Sequence, residues 1–156
     1  MAGNGHSLRS GGRIITIYGA DRDVSDWVSL SLYGVAGYFG ENAKAIGILC
    51  DGKIICGIVY NNFITDIHGQ PLNIEMSIAS VDKRWANRHT LREAFAYPFI
   101  QLGLERVQAT TSTLNEGANK MLKRLGFQKE GTHRGAYGDR SDAFSWSLLK
   151  SECRYI

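Results

Sequence analysis

The chain has 156 residues, 44% of them hydrophobic and 21% charged, with a formal net charge of +3. That is the size and composition of one soluble globular domain, long enough to bury a core. The mild positive balance permits an anionic ligand, but it is far below the basicity usual in nucleic-acid binders, so nucleic acid is not the expected partner.

The three cysteines, Cys50, Cys56 and Cys153, lack metal-ligand spacing and read as reduced thiols, and no metal site is expected. No apolar run reaches the roughly 18 residues of a membrane helix, and the N-terminus lacks a signal-peptide apolar core. The expected address is the cytoplasm, with no membrane contact. Residues 1–12, "MAGNGHSLRSGG", are Gly/Ser-rich and aperiodic. They are expected to be a disordered lead-in to a single domain over 13–156.

The β-branched "RIITIY" (13–18) predicts a strand. In 21–39, Val24, Trp27, Val28 and Leu32 recur at helical spacing behind Asp residues suited to capping. Two apolar runs over 44–63 flank Asp51-Gly52, a two-residue hairpin signal, because such a turn needs positive φ at both central positions. The segment "LNIEMSIAS" (72–80) alternates: Leu72, Ile74, Met76 and Ile78 on one face, Asn73, Glu75 and Ser77 on the other.

Leu91, Phe95, Phe99 and Leu102 predict an amphipathic helix over 91–102, kinked at Pro98 and closed by Gly103. A strand follows at 106–113, then a short helix at 115–125 closed by Gly126. Two last strands, in 127–134 and 142–150, flank a loop at 135–141. The order β-α-β-β-β-α-β-α-β-β predicts an α/β (α+β) fold, a mixed central sheet of about six to seven strands with helices on both faces.

At "NEGANKMLKRLGFQKEGTHR" (115–134) the chain resembles the GNAT superfamily of acyl-CoA N-acyltransferases. It carries Asn115, then Leu125-Gly126-Phe127, Glu130-Gly131 and Arg134. This part is similar to ribosomal-protein N-terminal acetyltransferases. The stretch "RWANRHTLREAFAYPFIQLGLERVQA" also resembles small acetyltransferase-like proteins of phages and prophages.

The resemblance implies acetyl-CoA as co-substrate and an amine acceptor, either a protein N-terminus, a lysine or a small amine. It makes 72–80 the central strand, with Met76, Ser77 and Ile78 along the pantetheine arm. It places the pyrophosphate at the strand-to-helix corner "DKRWANRHT" (82–90). Unpaired N–H groups and the helix dipole favour an anion at such a corner.

The family uses glycines at that corner, whereas this chain has none from Val81 to Phe99. Side-chain charge is expected to take their place: Arg88 and His89 first, then Arg84, with Asn87 or Thr90 capping the helix. Trp85 is expected to pack at the loop base.

Acyl transfer to an amine needs a group that takes the amine's proton, and Glu75 is the candidate. Asn115 is expected either to contact the cofactor or to cap its helix. Many family members place an acidic tyrosine three residues before Leu-Gly-Phe; here that position is Leu122. Tyr60, Ser112 and Thr113 are alternative donors, and Tyr137 and His68 are expected to border the acceptor. His133 is expected on a strand surface. The reading is an N-acetyltransferase, monomeric or homodimeric. The alternatives are a non-catalytic CoA- or partner-binding module and a phage enzyme that modifies nucleic acid.

Overall fold

Asp51 and Gly52 turn with φ of 50° and 78°, and the strands on either side pair antiparallel from Cys50↔Lys53 outward. This hairpin anchors a seven-stranded sheet in a computed structural model that describes residues 12–156. The expected lead-in lies, apart from Gly12, outside the described residues. The elements are β1 (Ile14–Ile17), α1 (Asp21–Tyr33), β2 (Lys44–Cys50), β3 (Lys53–Thr65), β4 (Pro71–Ser80), α2 (Arg88–Ala96), β5 (Arg106–Ser112), α3 (Glu116–Leu125), β6 (Gln128–His133) and β7 (Ala143–Leu149). The strand order is β1-β2-β3-β4-β5-β7-β6. All neighbours pair antiparallel except β4 and β5, which are parallel.

The two faces bury different partners. On one face α1 sets Val24 and Val28 against Ala45, Val59 and Ala79. On the other, Leu91, Phe95 and Phe99 join Leu122, Leu125 and Phe127 over Ile46, Ile58, Met76, Val107 and Leu148. The predicted mixed sheet with helices on both faces is what forms.

Gly47 and Gly57 face each other across β2 and β3 and make a seat for α1. A Cβ on Gly57 would lie 2.4 Å from Val28 Cγ2, and one on Gly47 would lie 3.0 Å from Val24 Cγ2. Gly57→Ala is therefore expected to destabilise the fold by about 1–3 kcal/mol, because a packed core resists an added methyl. Urea unfolding checks this; an unchanged midpoint would show that α1 does not sit tightly on the sheet.

Two predicted helices differ at their ends. α1 stops at Tyr33 rather than residue 39, because Gly34 takes a left-handed φ of 72° and its N–H closes on Leu30 O. Its N-cap is Ala20, without a side-chain bond, while Asp21 instead accepts from Ala45 N at 2.8 Å. α2 starts at Arg88, not 91, because Asn87 Oδ1 accepts from Thr90 N at 3.0 Å. Past Ala96 the chain winds into a π turn over Tyr97–Gln101, so Pro98 opens this wider turn rather than kinking a continuous helix.

Candidate active site

β4 and β5 separate within their own length. Their ladder has only two pairs, Ile74↔Val107 and Glu75↔Gln108, while β5 pairs with β7 along all seven residues from Arg106 to Ser112. Past Glu75 the β4 backbone facing β5 loses its ladder partner. A narrow cleft, open to solvent, occupies the gap. Met76, Ser77 and Ile78 form one wall and Ala109, Thr110 and Thr111 the other. α3 contributes Ala118, Met121 and Leu122 from one side of the sheet, and Leu32, Tyr33 and Tyr137 close the other. The structure thus brings together Met76, Ser77, Ile78, Asn115 and Tyr137 of the expected site residues.

Glu75 stands at the closed apex of this separation. Its Oε2 accepts from Asn62 Nδ2 at 3.2 Å and from Gln108 Nε2 at 3.4 Å. Beyond Gln108 the polar face continues: Arg106 Nη1 donates to Gln108 Oε1 at 3.2 Å and to Asn73 Oδ1 at 2.6 Å. Arg106 Nη2 grips both Glu130 oxygens at 3.0 and 2.9 Å. The Ser147 hydroxyl, then Arg106, hold the Glu130 carboxyl below the usual carboxylate range.

Tyr33, at the last turn of α1, is the cleft residue that the sequence did not single out. The available signal was Gly34, which ends the helix and leaves Tyr33 at its tip. Tyr33 packs on Tyr38, with ring centroids 4.1 Å apart. Burial, and then Tyr137, Tyr38 and Glu75 nearby, push its hydroxyl well above the ordinary tyrosine range. Burial raises Tyr137 as well.

The corner at 82–90 divides the expected cations. Arg84 binds Asp82 through Nε at 3.1 Å and Nη2 at 2.7 Å, and this holds the Asp82 carboxyl down at about 2. His89 pairs with Glu93 at 3.1 Å. Arg88 is exposed, with no ion pair among the described residues. The backbone N–H groups of Asn87, Arg88 and His89 meet no acceptor among the described residues. Thr90 is buried and its hydroxyl turns back to the Trp85 and Asn87 carbonyls. Trp85 lies in the core at 3% exposure.

Other candidates sit elsewhere. Tyr60 is 1% exposed, and its hydroxyl donates to Ala94 O at 2.6 Å under α2. That bond and burial, not the cleft, occupy its donor, so the expectation of a catalytic Tyr60 is corrected. His68 lies in the exposed β3–β4 turn, outside the cleft lining. Ser112 Oγ pairs with Ser141 Oγ at 2.8 Å. Asn115 Oδ1 caps α3 by accepting from Ala118 N at 3.1 Å, which leaves its amide N–H₂ free toward the cleft it lines. His133 is exposed on β6 beside Ser145. The cysteines are buried and unpaired. Among the described residues no His, Cys, Asp and Glu side chains gather as a metal site, and no helix is long and apolar enough to cross a membrane.

A parallel pair that opens midway, with helices on both faces of a mixed sheet, is the architecture of the GNAT acetyltransferases. No family model matches the chain. It is 35% identical over 63 residues to YoaA, an uncharacterized N-acetyltransferase of Bacillus subtilis; the match spans 38% of this chain and 36% of that protein. A solved structure of a probable acetyltransferase is 26% identical with a TM-score of 0.58, covering 71% of this chain and 64% of that one. A point-mutant form of the spermidine N-acetyltransferase SpeG of Vibrio cholerae is 15% identical with a TM-score of 0.69, covering 92% and 96%. The chain thus shares its fold with these acetyltransferases and part of its sequence with one of them, and it spans about a third of the curated relative it matches.

Proposed function

We propose that the protein is an acetyl-CoA-dependent N-acetyltransferase that transfers acetyl to a primary amine by direct attack on the thioester. The observation that carries this is the two-pair β4–β5 ladder, which ends at Glu75 and opens a cleft between the strands beyond it. The residues present fit the co-substrate. The walls of the cleft suit a pantetheine chain along Met76, Ser77 and Ile78, and the free N–H groups of Asn87, Arg88 and His89 suit a pyrophosphate. Arg88 is the cation free to join them. Arg84 already serves Asp82, and His89 serves Glu93.

Acetyl-CoA supplies the activated acyl carbon. Glu75 takes the amine's proton, Asn115 contacts the cofactor, and Tyr33 and Tyr137 border the acceptor. With Leu122 apolar and 3% exposed, α3 offers no acid at the place where many relatives have one. Ser77 and Thr110 are the hydroxyls on the cleft left to donate to the departing thiolate, since Thr111 already donates to Asn119 Oδ1.

Calorimetric titration with acetyl-CoA, together with release of free thiol in the presence of an alanine-initiated peptide, a lysine peptide and spermidine, tests this reading. Binding with thiol release supports it. Binding without release from any probe indicates a CoA-binding module, and no binding removes both. Arg88→Ala is expected to weaken acetyl-CoA binding about tenfold, the scale of one charge-assisted hydrogen bond. An unchanged dissociation constant would remove Arg88 as a phosphate ligand.

A further inference from the structure

We propose that Gln108 is a positioning residue for the Glu75 carboxylate, and that the Arg106–Glu130 ion pair fixes Gln108 in that role. The inference rests on the reading of Glu75 as the proton acceptor.

The amide of Gln108 sits between two charged groups. Its Oε1 accepts from Arg106 Nη1 at 3.2 Å and its Nε2 donates to Glu75 Oε2 at 3.4 Å. Turned end for end, the amide would present its oxygen to a carboxylate and its N–H₂ to a guanidinium, two contacts without a shared proton. A guanidinium only donates and a carboxylate only accepts. The arginine therefore dictates that Gln108 donates toward Glu75. Arg106 is itself held by both oxygens of Glu130 and by Asn73. Arg106 and Gln108 share one face of β5 at a spacing of two residues, and the register places Gln108 opposite Glu75.

Asn62 meets the same oxygen from the other side. The β3–β4 register shifts between Asn61 and Ile64, and Asn62 takes a left-handed φ of 53°. Asparagine tolerates that conformation better than most residues. The bulge turns its amide onto Glu75 Oε2. Both donors fall on Oε2. Oε1 has no hydrogen-bond partner among the described residues, so one carboxylate oxygen is held and the other is left to take a proton.

The test is a double-mutant cycle read as kcat against KM, using free thiol release from acetyl-CoA with water alone and with the three amine probes. Gln108→Met is expected to lower kcat about tenfold with the KM for acetyl-CoA unchanged, as expected for a displaced reacting group. In the Glu75→Gln background the same change is expected to cost nothing further, because a residue acting through Glu75 has nothing left to position. An equal loss in both backgrounds overturns the proposal in favour of a purely structural role.

A readout without turnover runs beside it. The Gln108 side-chain N–H₂ resonances are expected to move in Glu75→Gln and in Arg106→Met. Resonances that ignore both changes overturn the proposal whether or not any probe is acetylated. Absence of acetyl-CoA binding by the unaltered protein, with the Gln108 resonances still responding, removes the functional reading and leaves the side-chain contacts standing.

Discussion

Replacing Glu75 by Gln is expected to lower kcat by about 10²–10⁴-fold, the usual contribution of a general base, while acetyl-CoA binding stays as it was. The amide keeps the shape of the side chain and sits off the cleft walls, so the cofactor's contacts do not change. The deficit is expected to depend on pH. Below the acceptor's own pKa, about 8 for an α-amine and about 10.4 for a lysine, the amine arrives protonated and needs an acceptor for that proton. As the pH rises toward those values the amine arrives free, and the variant is expected to approach the unaltered enzyme. A pH–rate profile of both proteins checks the result. Wild-type turnover in the variant at neutral pH would remove Glu75 as the base.

Ala118→Trp is expected to raise the dissociation constant for acetyl-CoA at least about 100-fold, some 2.8 kcal/mol. Ala118 lies on α3 with its side chain on the floor of the cleft, beside Met121 and Leu122. An indole there fills the space between β4 and β5 that the pantetheine arm needs. The fold is expected to survive, because Ala118 is only half-buried and the gap already exists in the sheet. Helical circular dichroism and the unfolding midpoint act as controls beside the titration. Undiminished affinity would place the cofactor elsewhere and sink the cleft assignment.

Local chemistry made much of the architecture legible. Asp51-Gly52 specifies its hairpin within two residues. Gly126 closes α3 at a φ of 103°, as Asn115 opens it. Alternation in β4 put Glu75 on the polar face without any knowledge of its neighbours. Where two local signals competed, the reading slipped. Apolar spacing carried α1 on to residue 39 although Gly34 stops it, and the apolar repeat set the start of α2 at 91 although Asn87, one of the two expected caps, starts it at Arg88.

The site was legible only in part, because its remaining features depend on residues far apart in the chain. Tyr60 carries a hydroxyl that nothing in its own strand assigns, and α2 claims it through Ala94 O. Arg84 and Arg88 look alike in "DKRWANRHT", yet Asp82 folds back on one and leaves the other free. Asn62 and Gln108 come from separate strands and meet only on Glu75, and Tyr33 reaches the cleft from the end of α1.

The sequence by itself determined the order of elements, the polar face bearing Glu75 and the cationic corner, because periodicity, turn chemistry and helix capping act over a few neighbouring residues. Only the tertiary structure decided where β4 leaves β5, which donors grip Glu75 and which arginine faces solvent. Those depend on strand register and on which side chains fold back on one another, and neither is encoded by any one segment.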